Sequence, residues 1–130
     1  MLNTSALSVT QYNGVMDYVI GNPPYVRVHN LEDDYEEVKS FSFAQDGMTD
    51  LYLVFYELGL RMLNKTGKLC YITPSSWLSS LAATNMRKYI MSYRNLVGLI
   101  DLGHFQAFEN ATTYTMIALF DLQHTNNQIE

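Results

Sequence analysis

Residues 17–27 read DYVIGNPPYVR, and the passage from apolar run to paired prolines within them decides how the chain folds. Met16 to Ile20 is a short run rich in β-formers that ends at Gly21, the pattern of a strand buried on both faces. Asn22, Pro23, Pro24 and Tyr25 follow at once. Each proline fixes its own φ, lacks an N–H, and pushes the residue before it toward extended geometry. The chain therefore leaves the strand with little conformational freedom, and its carbonyls are held apart from any local hydrogen-bond pattern. Asn22 adds a side-chain carbonyl acceptor, and Tyr25 adds a flat apolar ring. In open α/β sheets, ligands bind beyond the carboxyl ends of the strands. A stiff rim of acceptors beside an aromatic ring suits a planar guest that carries an amino group. Asn-Pro and Pro-Pro are also ordinary turn signals, so these four residues alone leave a plain turn open.

Working outward, residues 26–49 form a long connection with an acidic cluster, Glu32 to Glu37, that reads as solvated surface. Leu51, Phe55, Leu58 and Met62 then recur at helical spacing, with Asp50 at the N-cap and Gly67, after Lys65, as the stop. LCYIT (69–73) is a second buried strand, ended by Pro74. A second helix, from about Leu78 to Tyr93, would place Leu78, Leu81, Ala82, Met86, Tyr89 and Ile90 on one side. LVGLID (96–101) and TYTMIALFD (113–121) are two more strands. The order strand, helix, strand, helix, strand, strand implies an α/β fold. It reads as half of a doubly wound sheet, with helices over the sheet and the last strand antiparallel.

The bulk properties restrict the function. The 130 residues make one domain with room for a core, and the net charge of −5 makes the chain a poor polyanion binder by itself. If nucleic acid is the substrate, most of the positive surface lies elsewhere. The single Cys70 excludes a disulfide framework, and a reducing cytoplasm is the expected compartment. No stretch approaches a membrane span. His29, His104 and His124 lack ligand spacing, so no metal is expected. Ser75, in PSSWL (74–78), has no His or Asp arrangement to make it a nucleophile, although that loop would border a site at the sheet's carboxyl end.

Three blocks in order resemble the adenine-specific amino-methyltransferases of restriction–modification systems. VIGNPPYVR is similar to their Asn-Pro-Pro-Tyr motif. DLYLVFYELGLRMLNKTGKLCYITPSSWLSS resembles the next block of helix, turn, strand and Pro-Ser loop. LIDLGHFQAFENATTYTMIALF resembles the block in which a Phe precedes the last strand. The likeness runs from about residue 16 to 121.

It implies a Rossmann-like methyltransferase sheet and methyl transfer from S-adenosylmethionine to the exocyclic amine of a flipped-out adenine in double-stranded DNA. Under that resemblance the Asn22 side chain and the Pro23 carbonyl would accept from the amine, with Pro24 completing the catalytic rim. Tyr25 would stack on the adenine, Phe108 would contact it from another side, and Leu51 and Phe55 would line the cofactor's adenine pocket.

Such enzymes hold the cofactor mainly through a Gly-rich turn after one strand and an acidic residue after the next. No Gly-x-Gly occurs here. Residues 1–130 are therefore expected to be the catalytic-motif half of a methyltransferase domain, a fragment of a larger protein, inactive and poor at binding the cofactor in isolation. The strand at 16–20 would then be an exposed edge through which the fragment self-associates. Two other readings stay open: methylation of RNA or of a protein glutamine, and a non-catalytic α/β interaction module.

Overall fold

The computed structural model describes residues 10–26, 38–45, 50–103 and 114–124. Phe108, Arg27, His29, His104 and the acidic cluster at 32–37 lie outside these residues. The elements run β1 (Met16–Gly21), α1 (Leu51–Met62), β2 (Leu63–Pro74), α2 (Thr84–Tyr93), β3 (Leu96–Gly103) and β4 (Thr115–Asp121). The sheet order is β1-β2-β4-β3. β1 and β2 are parallel, and β4 lies antiparallel between β2 and β3. The expected α/β order and antiparallel last strand are present. The new element is that β4 inserts between two strands that precede it, which leaves β1 and β3 as the edges.

Alternation along the strands decides which face is covered. Leu69, Tyr71 and Thr73 of β2 and Met116, Ala118 and Phe120 of β4 are buried on one face. They pack with Tyr52, Leu53, Tyr56 and Leu60 of α1 and with Met86 of α2. Both helices thus lie on the same side of the sheet. The opposite face of α1 is also buried, because Leu51, Val54 and Leu58 meet Val38, Phe41 and Ala44. Helix α1 is sandwiched between two apolar clusters, which explains why its apolar residues go almost all the way round.

Glu57 lies in the same helix, 7% exposed. Its carboxylate accepts from the backbone N–H of Ser42 at 3.2 Å and of Phe43 at 2.7 Å, and from the Ser42 hydroxyl at 2.9 Å. Arg61, one turn on, pairs with it and lies 4.5 Å over the Phe41 ring. A buried carboxylate is tolerated when its lone pairs are filled in this way. The result is a clamp that fastens residues 41–43 to α1.

Three sequence expectations need correction, and a fourth, Asp50 at the N-cap, holds in position. β1 is not buried on both faces: Tyr18 is 67% and Ile20 77% exposed, because α1 covers one face and no described helix covers the other. Gly67 is not the helix stop. α1 ends at Met62, and Gly67 falls in β2, where the pairing steps from Met16↔Leu63 to Tyr18↔Lys68. Residues 64–67 bulge out of the ladder at that step, stabilised by the Thr66 N–H bound to Asn64 Oδ1 at 3.0 Å. The second helix begins at Thr84, after two short 3-10 turns, and Leu78 and Leu81 are exposed at 46% and 70%. The Arg87 guanidinium holds the carbonyls of Trp77 at 2.9 Å and Ser80 at 2.6 Å, so the chain there is fixed without helical bonding. Asp50 occupies the N-cap of α1 but makes no side-chain cap bond.

α1 approaches β2 at Gly59. A Cβ there would lie 2.6 Å from Leu69 Cδ1 and clash with the Tyr71 ring as well. Gly59→Ala is expected to destabilise the chain by about 1–3 kcal/mol through overpacking, despite alanine's better helix propensity. Urea unfolding followed by circular dichroism measures it.

Candidate active site at the carboxyl end of the first strand

Asn22 to Val26 leave the carboxyl end of β1 as extended chain. Asn22, Pro24 and Tyr25 are exposed and Pro23 is buried. Two hydrogen bonds hold the segment. The Val26 carbonyl accepts from the Leu51 N–H at 2.7 Å, which ties the end of the rim to the first residue of α1. The Tyr25 hydroxyl lies 3.2 Å from Asn22 Oδ1 and 3.5 Å from the Ile72 carbonyl of β2, donating across both acceptors at the long end of bonding range. The rim is therefore curled, with the phenol of its last residue resting on the amide of its first.

Behind Tyr25 stand three more tyrosines. Its ring meets Tyr52 edge to face, with centroids 6.2 Å apart. Tyr52 meets Tyr56 at 6.4 Å, and Tyr56 meets Tyr71 at 5.1 Å. The hydroxyls end on fixed partners: Tyr52 with Ser76 Oγ at 3.0 Å, Tyr56 with Thr73 Oγ1 at 2.8 Å, and Tyr71 to the Phe55 carbonyl at 3.0 Å. Burial pushes the Tyr25 phenol above its ordinary value and raises Tyr71 to about 12. Tyr56 is raised further, again first by burial. The phenols of Tyr25, Tyr56 and Tyr71 therefore stay neutral near pH 7.

A cavity of about 400 Å³ opens beside the rim. Its wall includes Asn22, Pro23 and Pro24 from the rim, Phe55, Leu58 and Met62 from α1, Tyr71 from β2, and Tyr12. The volume is within the range of small-molecule sites. Of the residues singled out in the sequence, Asn22, Pro23, Pro24 and Phe55 share this cavity. Leu51 does not line it and is buried in the cluster with Val38 and Phe41. Tyr25 stands at the rim's far end against Tyr52.

The sequence reading missed Tyr12, Tyr52 and Tyr71. Tyr12 sits in a turn held on the end of α1 by Gly14 N–H to the Arg61 carbonyl at 2.8 Å and Val15 N–H to the Met62 carbonyl at 3.0 Å. The Asn13-Gly14 pair was its available turn signal. PSSWL reaches the tyrosine series through Ser76, bonded to Tyr52, and through Trp77, whose ring meets Tyr56 with centroids 6.1 Å apart. Among the described residues no group of His, Cys, Asp or Glu is placed to hold a metal, and no helix is long and apolar enough to cross a membrane.

Comparison with known proteins places the chain in a family. The family model for Eco57I restriction-modification methylase matches residues 2–108. The chain belongs to that family. It is 28% identical to the type II restriction enzyme and methyltransferase RM.Eco57I of Escherichia coli, over 98% of this chain and 13% of that protein. It is 32% identical to the type II methyltransferase M.XhoI of Xanthomonas vasicola, over 81% of this chain and 20% of that one. A class I S-adenosylmethionine-dependent methyltransferase from Listeria monocytogenes superposes with a TM-score of 0.66 at 20% identity, over 95% of this chain and 36% of the other. The sheet is thus a methyltransferase-type α/β sheet, and this member of the Eco57I family spans only a fraction of the length of its relatives.

The tyrosine stack has a consequence for alkaline stability. The unfolded phenol titrates near 10, below the folded value of about 12 for Tyr71. Above pH 10 the unfolded state therefore loses protons that the folded state retains. The stabilisation is complete below pH 10 and is lost as pH rises toward 12, by on the order of 2–3 kcal/mol for this phenol. Melting temperatures at pH 8, 10 and 11.5 (about the window set by these values) should fall steeply only above 10. Tyr71→Phe, which loses one hydrogen bond at pH 8, should show a shallower fall.

Proposed function

We propose that this chain is the catalytic-motif half of a DNA methyltransferase of a restriction–modification system, and that the complete protein methylates the exocyclic amine of adenine. The observation that carries the reading is the Asn22–Pro23–Pro24–Tyr25 rim at the carboxyl end of β1, opening on the cavity that Phe55 lines. Membership of the Eco57I family supports DNA over the RNA and glutamine substrates that the same acceptors could also serve.

In this reading the adenine leaves the duplex, which costs a few kcal/mol, and stacking on Tyr25 returns about 1–3 kcal/mol. The Tyr25 hydroxyl leaves Asn22 Oδ1 as the target amine arrives. The amide oxygen of Asn22 and the carbonyl of Pro23 then accept the two N–H bonds. Acceptance on both draws the nitrogen lone pair out of the ring and aims it away from the rim. Positioning does the work, and no strong base is needed. Phe108 would close on the adenine from another side. With a net charge of −5, most of the positive surface that would meet phosphate is expected outside this chain.

The cavity suits part of the cofactor. Phe55, Leu58 and Met62 offer apolar surface to a purine ring, but the described residues of the wall include no carboxylate for ribose hydroxyls and no charged group for an amino-acid moiety. The described residues fit the adenine end of S-adenosylmethionine and not the whole of it. When bound, that cofactor supplies the electrophilic methyl group. The isolated chain should bind it no tighter than about millimolar, and calorimetry giving a micromolar constant contradicts the half-domain reading.

The activity is tested in the full-length protein by mass spectrometry of nucleosides from DNA carried by a strain that expresses it. N6-methyladenine is expected. Asn22→Ala should reduce it by about two orders of magnitude or more, as loss of a preorganised hydrogen-bonding group does, with the melting temperature nearly unchanged. Methylated cytosine alone, or an Asn22→Ala variant of full activity, overturns the assignment.

A further inference from the structure

A second cavity, of about 500 Å³, opens at the end of the sheet opposite the rim. Its wall is Lys65 from the bulge in β2, Tyr89 and Tyr93 from α2, Asn95 just before β3, and Leu122 and His124 just after β4. Main-chain bonds preform it. The Asp121 N–H donates to the Asn95 carbonyl and the Leu122 N–H to the Gly67 carbonyl, both at 2.9 Å. Between α2 and β3 the chain turns through Arg94, in the left-handed region at a φ of 52°. The ring of His124 pins that turn, with Nδ1 2.9 Å from the Arg94 carbonyl. A carbonyl only accepts, so His124 carries a proton on Nδ1 and, when neutral, leaves Nε2 as an acceptor.

Three features of this wall have no structural use. The first is the amide of Asn95, which is 3% exposed. Its nitrogen donates to the Tyr89 hydroxyl at 2.7 Å, but its buried Oδ1 has no partner among the described residues. Turning the amide round would orphan the nitrogen instead, and burying either end unpaired is costly. The second is an open aromatic surface. Tyr89 and Tyr93 lie with centroids 4.8 Å apart and planes 37° apart, and Tyr93 is 59% exposed. The third is a charge. Between Glu57 and Asp101 the sequence holds Arg61, Lys65, Lys68, Arg87, Lys88 and Arg94 and no acidic residue. Arg61 pairs with Glu57, Lys68 lies 3.9 Å from Asp121, and Arg87 is spent on carbonyls. Lys65 is exposed and has no such partner among the described residues.

An acceptor that lacks an N–H, an open ring and an unpaired cation in one cavity complement a molecule that is planar, nitrogen-bearing and anionic. The volume suits a small ligand. A net charge of −5 disfavours a polyanion here, whereas a single phosphate needs only Lys65. The sulfonium of S-adenosylmethionine has the wrong sign for that lysine. We infer that this cavity is a second ligand site and takes a free nucleoside monophosphate, its base stacked on Tyr93 and donating an N–H to Asn95, its phosphate paired with Lys65. The inference stands apart from the methylation reading, because it uses no residue of the rim.

The test titrates the chain with AMP. Calorimetry should give a dissociation constant on the order of 0.1 mM, and the backbone amide resonances that move should be those of Lys65 and of Tyr93 to Asn95. Tyr93→Ala should weaken AMP by about tenfold through lost stacking, and Lys65→Glu by about fivefold or more through reversed charge. Lys88→Glu, on the exposed side of α2, should change the affinity by less than about twofold. All three side chains are exposed, so the melting temperature should hold, and it is measured in parallel. Adenosine and inorganic phosphate should each bind at least about tenfold more weakly than AMP. No binding of AMP below about 5 mM, equal affinity for either half alone, or binding indifferent to both Tyr93→Ala and Lys65→Glu overturns the inference. So do shifts confined to Asn22 and Phe55, which would put the nucleotide in the cavity beside the rim.

Discussion

The close contact between α1 and β2 organises this molecule. With no side chain at Gly59, the helix settles against Leu69 and Tyr71 until the Tyr71 hydroxyl reaches the Phe55 carbonyl. That contact fixes the helix height above the sheet, and the height sets the rest. It turns Tyr52 and Tyr56 toward the carboxyl ends of the strands, and it lets Phe55, Leu58 and Met62 form one wall of the cavity whose other wall is the Asn-Pro-Pro rim. The Glu57 clamp then uses the outer side of the same helix to fasten residues 41–43. One helix thereby braces the sheet on one side and the connection behind the rim on the other.

Chemistry and scaffold divide unevenly between the residues of the rim. The prolines contribute stiffness and lack of competition, Asn22 contributes an acceptor, and Tyr25 contributes a surface. The ring of Tyr25 belongs to a series of four tyrosines whose hydroxyls are committed to Asn22, Ser76, Thr73 and the Phe55 carbonyl. Only the first of these bonds is long and exposed. The buried members are set, and the outermost can exchange its partner at little cost, as the role proposed for Tyr25 requires.

Much of this was legible in the sequence because it depends on neighbours along the chain. Four apolar runs gave four strands, and the absence of a helix between the last two gave the antiparallel direction of β4. The rim was legible for the same reason, since two prolines dictate backbone geometry without outside help. The periodicity that found α1 also brought Phe55 to the site.

What escaped depended on contacts between distant segments. An apolar run does not disclose that only one of its faces has a neighbour, so Tyr18 and Ile20 were read as buried. The delayed start of α2 comes from Arg87 holding carbonyls seven and ten residues back, outside any helical period. Leu51 fits the cavity by spacing alone, but it turns to Val38 and Phe41. The Glu57 carboxylate gave no local sign that it would bind backbone groups about fifteen residues earlier.

The bond from the Leu51 N–H to the Val26 carbonyl joins the two ends of a stretch of more than twenty residues at 2.7 Å. Such a staple separates what lies between from what lies on either side. Lengthening a flexible loop whose ends are already fastened costs only about 0.6 kcal/mol per doubling. Residues 38–45 inside this interval do not share that freedom, because Val38, Phe41 and Ala44 are buried against Leu51, Val54 and Leu58 of α1. The staple thereby sets the rim in register with α1 by a main-chain bond of its own, apart from the side-chain packing of Val38 and Phe41 on the helix's outer side.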